Sequence, residues 1–206
     1  LVPADIVRVK GTRPAPLERL RPTAQLWLIL VIQMVLFAIN YLLIIVSPVV
    51  LTALDPGRAT ALTGVAFACS GLGSAVGILL LSVRMFRPGR LGLGLVACCA
   101  GGGLSLFLIA ASTSVTVYIA GFTLVSLLMA AMMPTVNSLT ALNVPAARRG
   151  TAFGLVTSAQ AAAFIVGPSA AALFAATSFP IGFAGVGVVF LGLAALIWRA
   201  LREPRS

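Results

Sequence analysis

Residues 26–53 read LWLILVIQMVLFAINYLLIIVSPVVLTA. No charge interrupts them, and only Gln33, Asn40, Tyr41, Ser47 and Thr52 carry polar side chains. About 20 such residues cross the hydrocarbon core of a bilayer as a helix. A soluble fold of this size could not hide so much apolar surface. Sixty per cent of the 206 residues are hydrophobic and 9% charged, against about 25% charged in a soluble domain.

Five further runs follow, giving six expected spans near 26–53, 60–83, 91–111, 115–139, 151–176 and 181–200. Backbone groups in lipid must be satisfied internally, so the spans are helices. The short, alternating strands of a membrane barrel are not seen. Short connections make neighbouring helices antiparallel. The expected fold class is an all-α membrane protein of six transmembrane helices. Residues 1–24 are basic and proline-broken and read as a cytoplasmic linker, with a short amphipathic piece around Leu17–Leu20. Residues 25–206 form the membrane domain. The chain opens on Leu1, without a signal-peptide pattern, and reads as the continuation of something longer.

The charges alternate between connections. Arg8, Lys10, Arg13, Arg19 and Arg21 precede the first span, and only Asp55 and Arg58 follow it. Arg84, Arg87 and Arg90 come next, then an uncharged turn at Ser112–Ser114. Arg148 and Arg149 follow, then an uncharged turn at 177–180, then Arg199, Arg202 and Arg205. Thirteen of the fourteen cations thus fall on one side, and the positive-inside bias makes that side, with both termini, cytoplasmic. Trp27 and Trp198 lie near the same end, as an interfacial aromatic belt requires. Arg outnumbers Lys thirteen to one, and Ala and Gly abound, which points to a GC-rich bacterial genome and no further; the expected location is a bacterial plasma (inner) membrane. The net charge of +10 is read as anchorage to anionic lipid rather than to nucleic acid. The expected partners are the bilayer and a small-molecule substrate.

The chain has no His, and its acids, Asp5, Glu18, Asp55 and Glu203, lie at ends or in the linker. An enzyme would need a nucleophile–base pair or metal ligands at depth, so none is expected. Cys69, Cys98 and Cys99 lack metal-ligand spacing and read as small core residues. No metal site and no cofactor are expected.

Neutral polarity remains. Gln33, Phe37 and Asn40 share a helical face by spacings of four and three, with Tyr41 beside them. Amides in lipid must pair or face water. Both readings stand: an interhelical hydrogen bond, or the wall of a cavity. Ser47-Pro48 is expected to break the helix ladder toward the outer end. In the fourth span Ser126, Met133, Asn137 and Thr140 fall on one stripe. Met133 and Pro134 fit either a permissive pocket or ordinary core with a kink. Gln160 is the amide of the fifth span, and Gly167-Pro168 marks a bend or a close contact. Gly73-x-x-x-Gly77 and Gly150-x-x-x-Gly154 have close-packing spacing.

Pro145-Ala-Ala-Arg148-Arg149-Gly150-Thr-Ala-Phe-Gly154, then Gln160 and Gly167-Pro168, resembles the loop between the tenth and eleventh helices of the major facilitator superfamily. It looks most like that superfamily's drug:proton antiporters. Phe86-Arg87-Pro88-Gly89-Arg90-Leu91 is similar to the helix 8–9 loop motif, with Phe86 in place of the acid and Leu91 in place of the last Arg. The resemblance implies the C-terminal half of a twelve-helix bundle, with an N-terminal six-helix half as partner. It implies a midplane substrate site rocked between two halves, with Gln33, Phe37, Asn40, Tyr41, Met133 and Asn137 on the cavity wall. It assigns Arg87, Gly89, Arg90, Arg148, Arg149 and Gly150 to the cytoplasmic gate. Pro48, Gly73, Gly77, Pro134, Gly167 and Pro168 would be bending or packing points. It implies proton-coupled efflux of small, partly apolar compounds, the coupling carboxylate lying in the other half. Uptake of a neutral metabolite, or a six-span assembly subunit without transport, are the rival readings.

Overall fold

A computed structural model describes residues 23–85 and 90–201, and in it every regular element is helical. The elements are α1 (Ala24–Leu54), α2 (Ala59–Val76), a π-helical turn (Gly77–Leu81), α3 (Ser82–Met85), α4 (Leu91–Ala110), α5 (Val115–Leu142), α6 (Arg149–Ala175) and α7 (Phe179–Ala200). The π turn joins α2 and α3 into one rod, Ala59–Met85. That rod and the five long helices are six in all, each long and apolar enough to cross a membrane. The expected linker lies mostly outside the described residues.

Helix ends follow local chemistry. Thr23 caps α1, its hydroxyl accepting from Leu26 N at 3.3 Å. Asp55 closes the same helix and accepts from Arg58 N at 3.2 Å through its carboxylate. The polar stripe ending α5 extends that helix three residues past the expected 139. Thr140 donates to Val136 O (2.9 Å) and Asn143 Nδ2 to Leu139 O (2.8 Å), so these polar groups are satisfied within the helix.

Pro48 does not break α1, which runs unbroken to Leu54. Ser47 donates to Leu43 O at 2.6 Å and Thr52 to Pro48 O at 2.8 Å. Such local hydroxyl bonds let membrane helices tolerate proline. Pro134 and Pro168 likewise lie inside α5 and α6. Among the described residues, α geometry gives way to a π turn beginning at Gly77 and to a 3-10 turn at Ala146–Arg148 that leads into α6.

α1 packs mainly on α6 and also touches α2, α5 and α7, while α5 packs on α4 and on the α2 rod, and α4 on α7. Glycines set the closest approaches. A Cβ on Gly77 would collide with Leu127 O, and one on Gly73 would come within 2.9 Å of Thr123 O, so α2 rides on the α5 backbone. A Cβ on Gly187 would lie 3.1 Å from Gly103 O, joining α7 to α4. One on Gly167 would lie 2.7 Å from Tyr41 Cβ and 2.9 Å from Ala38 O, joining α6 to α1. Lipid tails compete with apolar side chains as solvent, so close packing of this kind drives helix association. Gly150 and Gly154 behave differently. A Cβ on either meets nothing within 4 Å, so their spacing makes no helix contact among the described residues.

Candidate functional site

The polar and aromatic face of α1 meets α5 on one side and α6 on the other. Gln33 is fully buried. Its Nε2 donates to Asn137 Oδ1 at 3.2 Å, bridging α1 and α5. Its Oε1 has no hydrogen-bond partner among the described residues. Asn137 is itself exposed at the end of this bridge, and Met133, one turn back, is partly buried against the core. Of the two readings left open for Gln33, the interhelical hydrogen bond is the one the structure contains, with Asn137 of α5 as partner. Asn40 is partly exposed, and its side chain makes no hydrogen bond among the described residues.

The aromatic part is a row. Phe37 and Tyr41 ring centroids are 6.3 Å apart, and Tyr41 stacks on Phe164 of α6 at 4.1 Å. Gly167, one turn beyond Phe164, admits Tyr41 this close. Phe164 escaped notice in the sequence. The signal was available: it lies four residues after Gln160 and three before Gly167, at helical spacing from both. Gln160 is partly exposed.

A second tie joins α1 and α5 nearer the far end of the bundle, away from the start of α1 and the end of α7. Tyr118 Oη donates to Ser47 Oγ at 2.7 Å, and the Ser47 hydroxyl in turn donates to Leu43 O. Ser126 faces α2 instead, accepting from Ser70 Oγ at 2.7 Å and donating to Phe122 O at 2.9 Å. The stripe expected on α5 is thus divided. Ser126 and Thr140 are buried in packing, and Asn137 alone of its three hydrogen-bonding members is exposed.

At the terminal end, Arg149 Nε donates to Ala141 O at 3.2 Å. The cation thereby sits on the carbonyl end of α5, where the helix dipole favours it. Arg148 is partly buried, and Gly150 and Arg90 are exposed. Arg87 and Gly89 lie outside the described residues.

The described charged side chains, Asp55, Arg58, Arg84, Arg90, Arg148, Arg149 and Arg199, all stand at helix ends. The described residues hold no group of three or more His, Cys, Asp or Glu able to bind a metal. The wall offers flat aromatic faces for stacking, one free amide and one half-satisfied amide pair. It can hold a partly apolar molecule by its rings and orient it by hydrogen bonds. The named wall residues include no Asp, Glu, Lys or Arg.

The sequence model described as the Major Facilitator Superfamily matches residues 29–206. No curated protein matches the chain.

Proposed function

We propose a specific activity on one established premise: the chain belongs to the Major Facilitator Superfamily, a family of membrane transporters. The activity is proton-coupled efflux of small, partly apolar molecules by alternating access. The chain supplies one six-helix half, and a second six-helix half supplies the titratable group. Both termini face the cytoplasm of a bacterial cell, across the inner membrane.

The observation that carries this reading is the neutral wall. Phe37, Tyr41 and Phe164 form an aromatic row beside Asn40 and the Gln33–Asn137 pair. An anionic substrate would call for Arg or Lys at that depth, and the described cations all lie at helix ends. Arg149, seated on the last turn of α5, couples the start of α6 to a cavity helix. With Arg148 it steadies the cytoplasmic gate.

Inverted membrane vesicles from cells expressing the natural gene test the reading. A lipophilic fluorescent dye should accumulate when a proton gradient is imposed and leak back when a protonophore is added. Phe37→Ala and Asn40→Ala should each raise the half-saturating dye concentration several-fold. Dye movement indifferent to the gradient would remove proton coupling. Gradient-driven movement of hydrophilic neutral solutes, with none of the dye, would overturn the substrate class.

A further inference from the structure

We infer that a crevice between α1, α6 and α7 is a binding site for one acyl chain of a membrane phospholipid, separate from the aromatic wall. α6 and α7 are consecutive and joined by a short turn, yet α6 packs on α1 and α7 on α4, with little contact between the two. The space left between them is about 410 Å³. Ala38 and Leu42 of α1 form its floor, Ala170 and Leu173 of α6 one wall, and Gly185 and Val189 of α7 the other. Thr177, at the far end, brings the single polar side chain of the lining, and its hydroxyl already donates to Phe174 O at 3.0 Å.

The crevice and the wall lie on opposite flanks of the α1–α6 contact. Gly167 marks that contact on α6. At 3.6 residues per turn, Phe164 falls on one side of it and Val166, Ala170 and Leu173 on the other.

Water cannot fill this space stably, because a buried water needs two to four polar partners. Left empty, its lining would forgo dispersion contacts on one side. Hydrocarbon is at hand: Leu173 and Ile181, on the lips, are 72% and 66% exposed. The length also fits. Val166 to Thr177 rises about 16 Å along α6, close to half of the about 30 Å hydrocarbon core. That is the depth of one leaflet, with the Thr177-Ser178 turn at headgroup level. The turn carries no charge, so the site selects the chain and not the headgroup. A side-chain atom added at Gly185 meets nothing within 4 Å, so the space can be filled from that position without a backbone clash.

The test uses the intact protein in vesicles of phosphatidylethanolamine and phosphatidylglycerol. A trace of phospholipid carries a photoreactive diazirine at mid-chain, and adducts are mapped by mass spectrometry. Labelling should concentrate on crevice residues several-fold over Leu93 and Leu104, which are 59% and 64% exposed on α4. Gly185→Phe, and separately Ala170→Phe, should lower crevice labelling several-fold and leave Leu93 and Leu104 unchanged. Even labelling of all exposed faces in the unaltered protein would overturn the site whether or not the variants fold. Unchanged crevice labelling in a folded variant would do the same. So would a crevice that takes up a photoreactive lipophilic dye and excludes the phospholipid.

Discussion

α1 and α6 lie against one another through Gly167, yet they inhabit different surroundings. In the most apolar stretch of α1, 56% of residues are buried, and in that of α6, 22%. α1 is enclosed by its own bundle, touching four other helices. α6 gives one face to α1 and leaves the rest uncovered, including Gly150, Gly154, Thr157, Ser158, Ala161 and Ala162. Thr157 and Ser158 satisfy their hydroxyls on Phe153 O and Gly154 O, both at 3.0 Å. A face bound for lipid has no use for such small and hydroxyl-bearing residues, whereas a helix that packs on protein does. The α2 rod is similar, with 17% of its apolar stretch buried and Gly64 and Gly71 open. The contrast separates a helix that holds one half together from helices whose outer faces suit the second half proposed above.

The sharpest way to break this comparison is a pair of glycine substitutions. Gly167→Leu must drive α6 off the α1 backbone and should cost about 3 kcal/mol or more, seen as loss of the monodisperse protein in a thermal melt. Gly154→Leu should leave the same melt unchanged and cut transport instead. Equal destabilisation by both would erase the distinction between the two faces.

The amide bridge comes next. Asn137→Ala leaves both polar atoms of buried Gln33 without partners and should cost about 1–3 kcal/mol. Adding Gln33→Leu should recover most of that, because no orphaned amide then remains. A double variant no more stable than Asn137→Ala would show that Gln33 already finds another partner.

A smaller effect, on rate alone, is expected at the terminal end. Arg148→Gln with Arg149→Gln removes the cation from the carbonyl end of α5. It should slow dye transport several-fold at unchanged half-saturation. A pure loss of affinity would argue against a gate.

The mildest change is a reporter. Asn40→Cys, with Cys69, Cys98 and Cys99 replaced by Ala, should leave stability unchanged and react with a small polar thiol reagent. An inert cysteine there, beside a reactive one at Gly154→Cys, would remove Asn40 from any aqueous cavity.

Much of the bundle was legible because charge and hydropathy act residue by residue. The six apolar runs lie within a few residues of the six helices, differing most at 139–142, where hydroxyls bond their own helix. Pro48 has no N–H to give to Ile44 O, so one ladder bond is missing there, yet α1 stays helical to Leu54, with Ser47 and Thr52 donating to Leu43 O and Pro48 O. The site was legible in part. Gln33 and Asn137 stood out as amides in apolar runs, but nothing local says that they meet across 104 positions. Phe164 stands at helical spacing from Gln160 and Gly167, but only the packing of α6 on α1 sets its ring on Tyr41.

The sequence by itself determined six helices long and apolar enough to cross a membrane among the described residues, and that the described charges stay at helix ends, because a charge in hydrocarbon is costly wherever the chain places it. Only the tertiary structure decided which helices touch. It pairs Gln33 with Asn137, sets Tyr41 on Phe164, leaves α6 bare on one side and opens the crevice beside α7. Helix contacts in lipid rest on small differences in close packing, and those differences exist only once two specific surfaces are brought together.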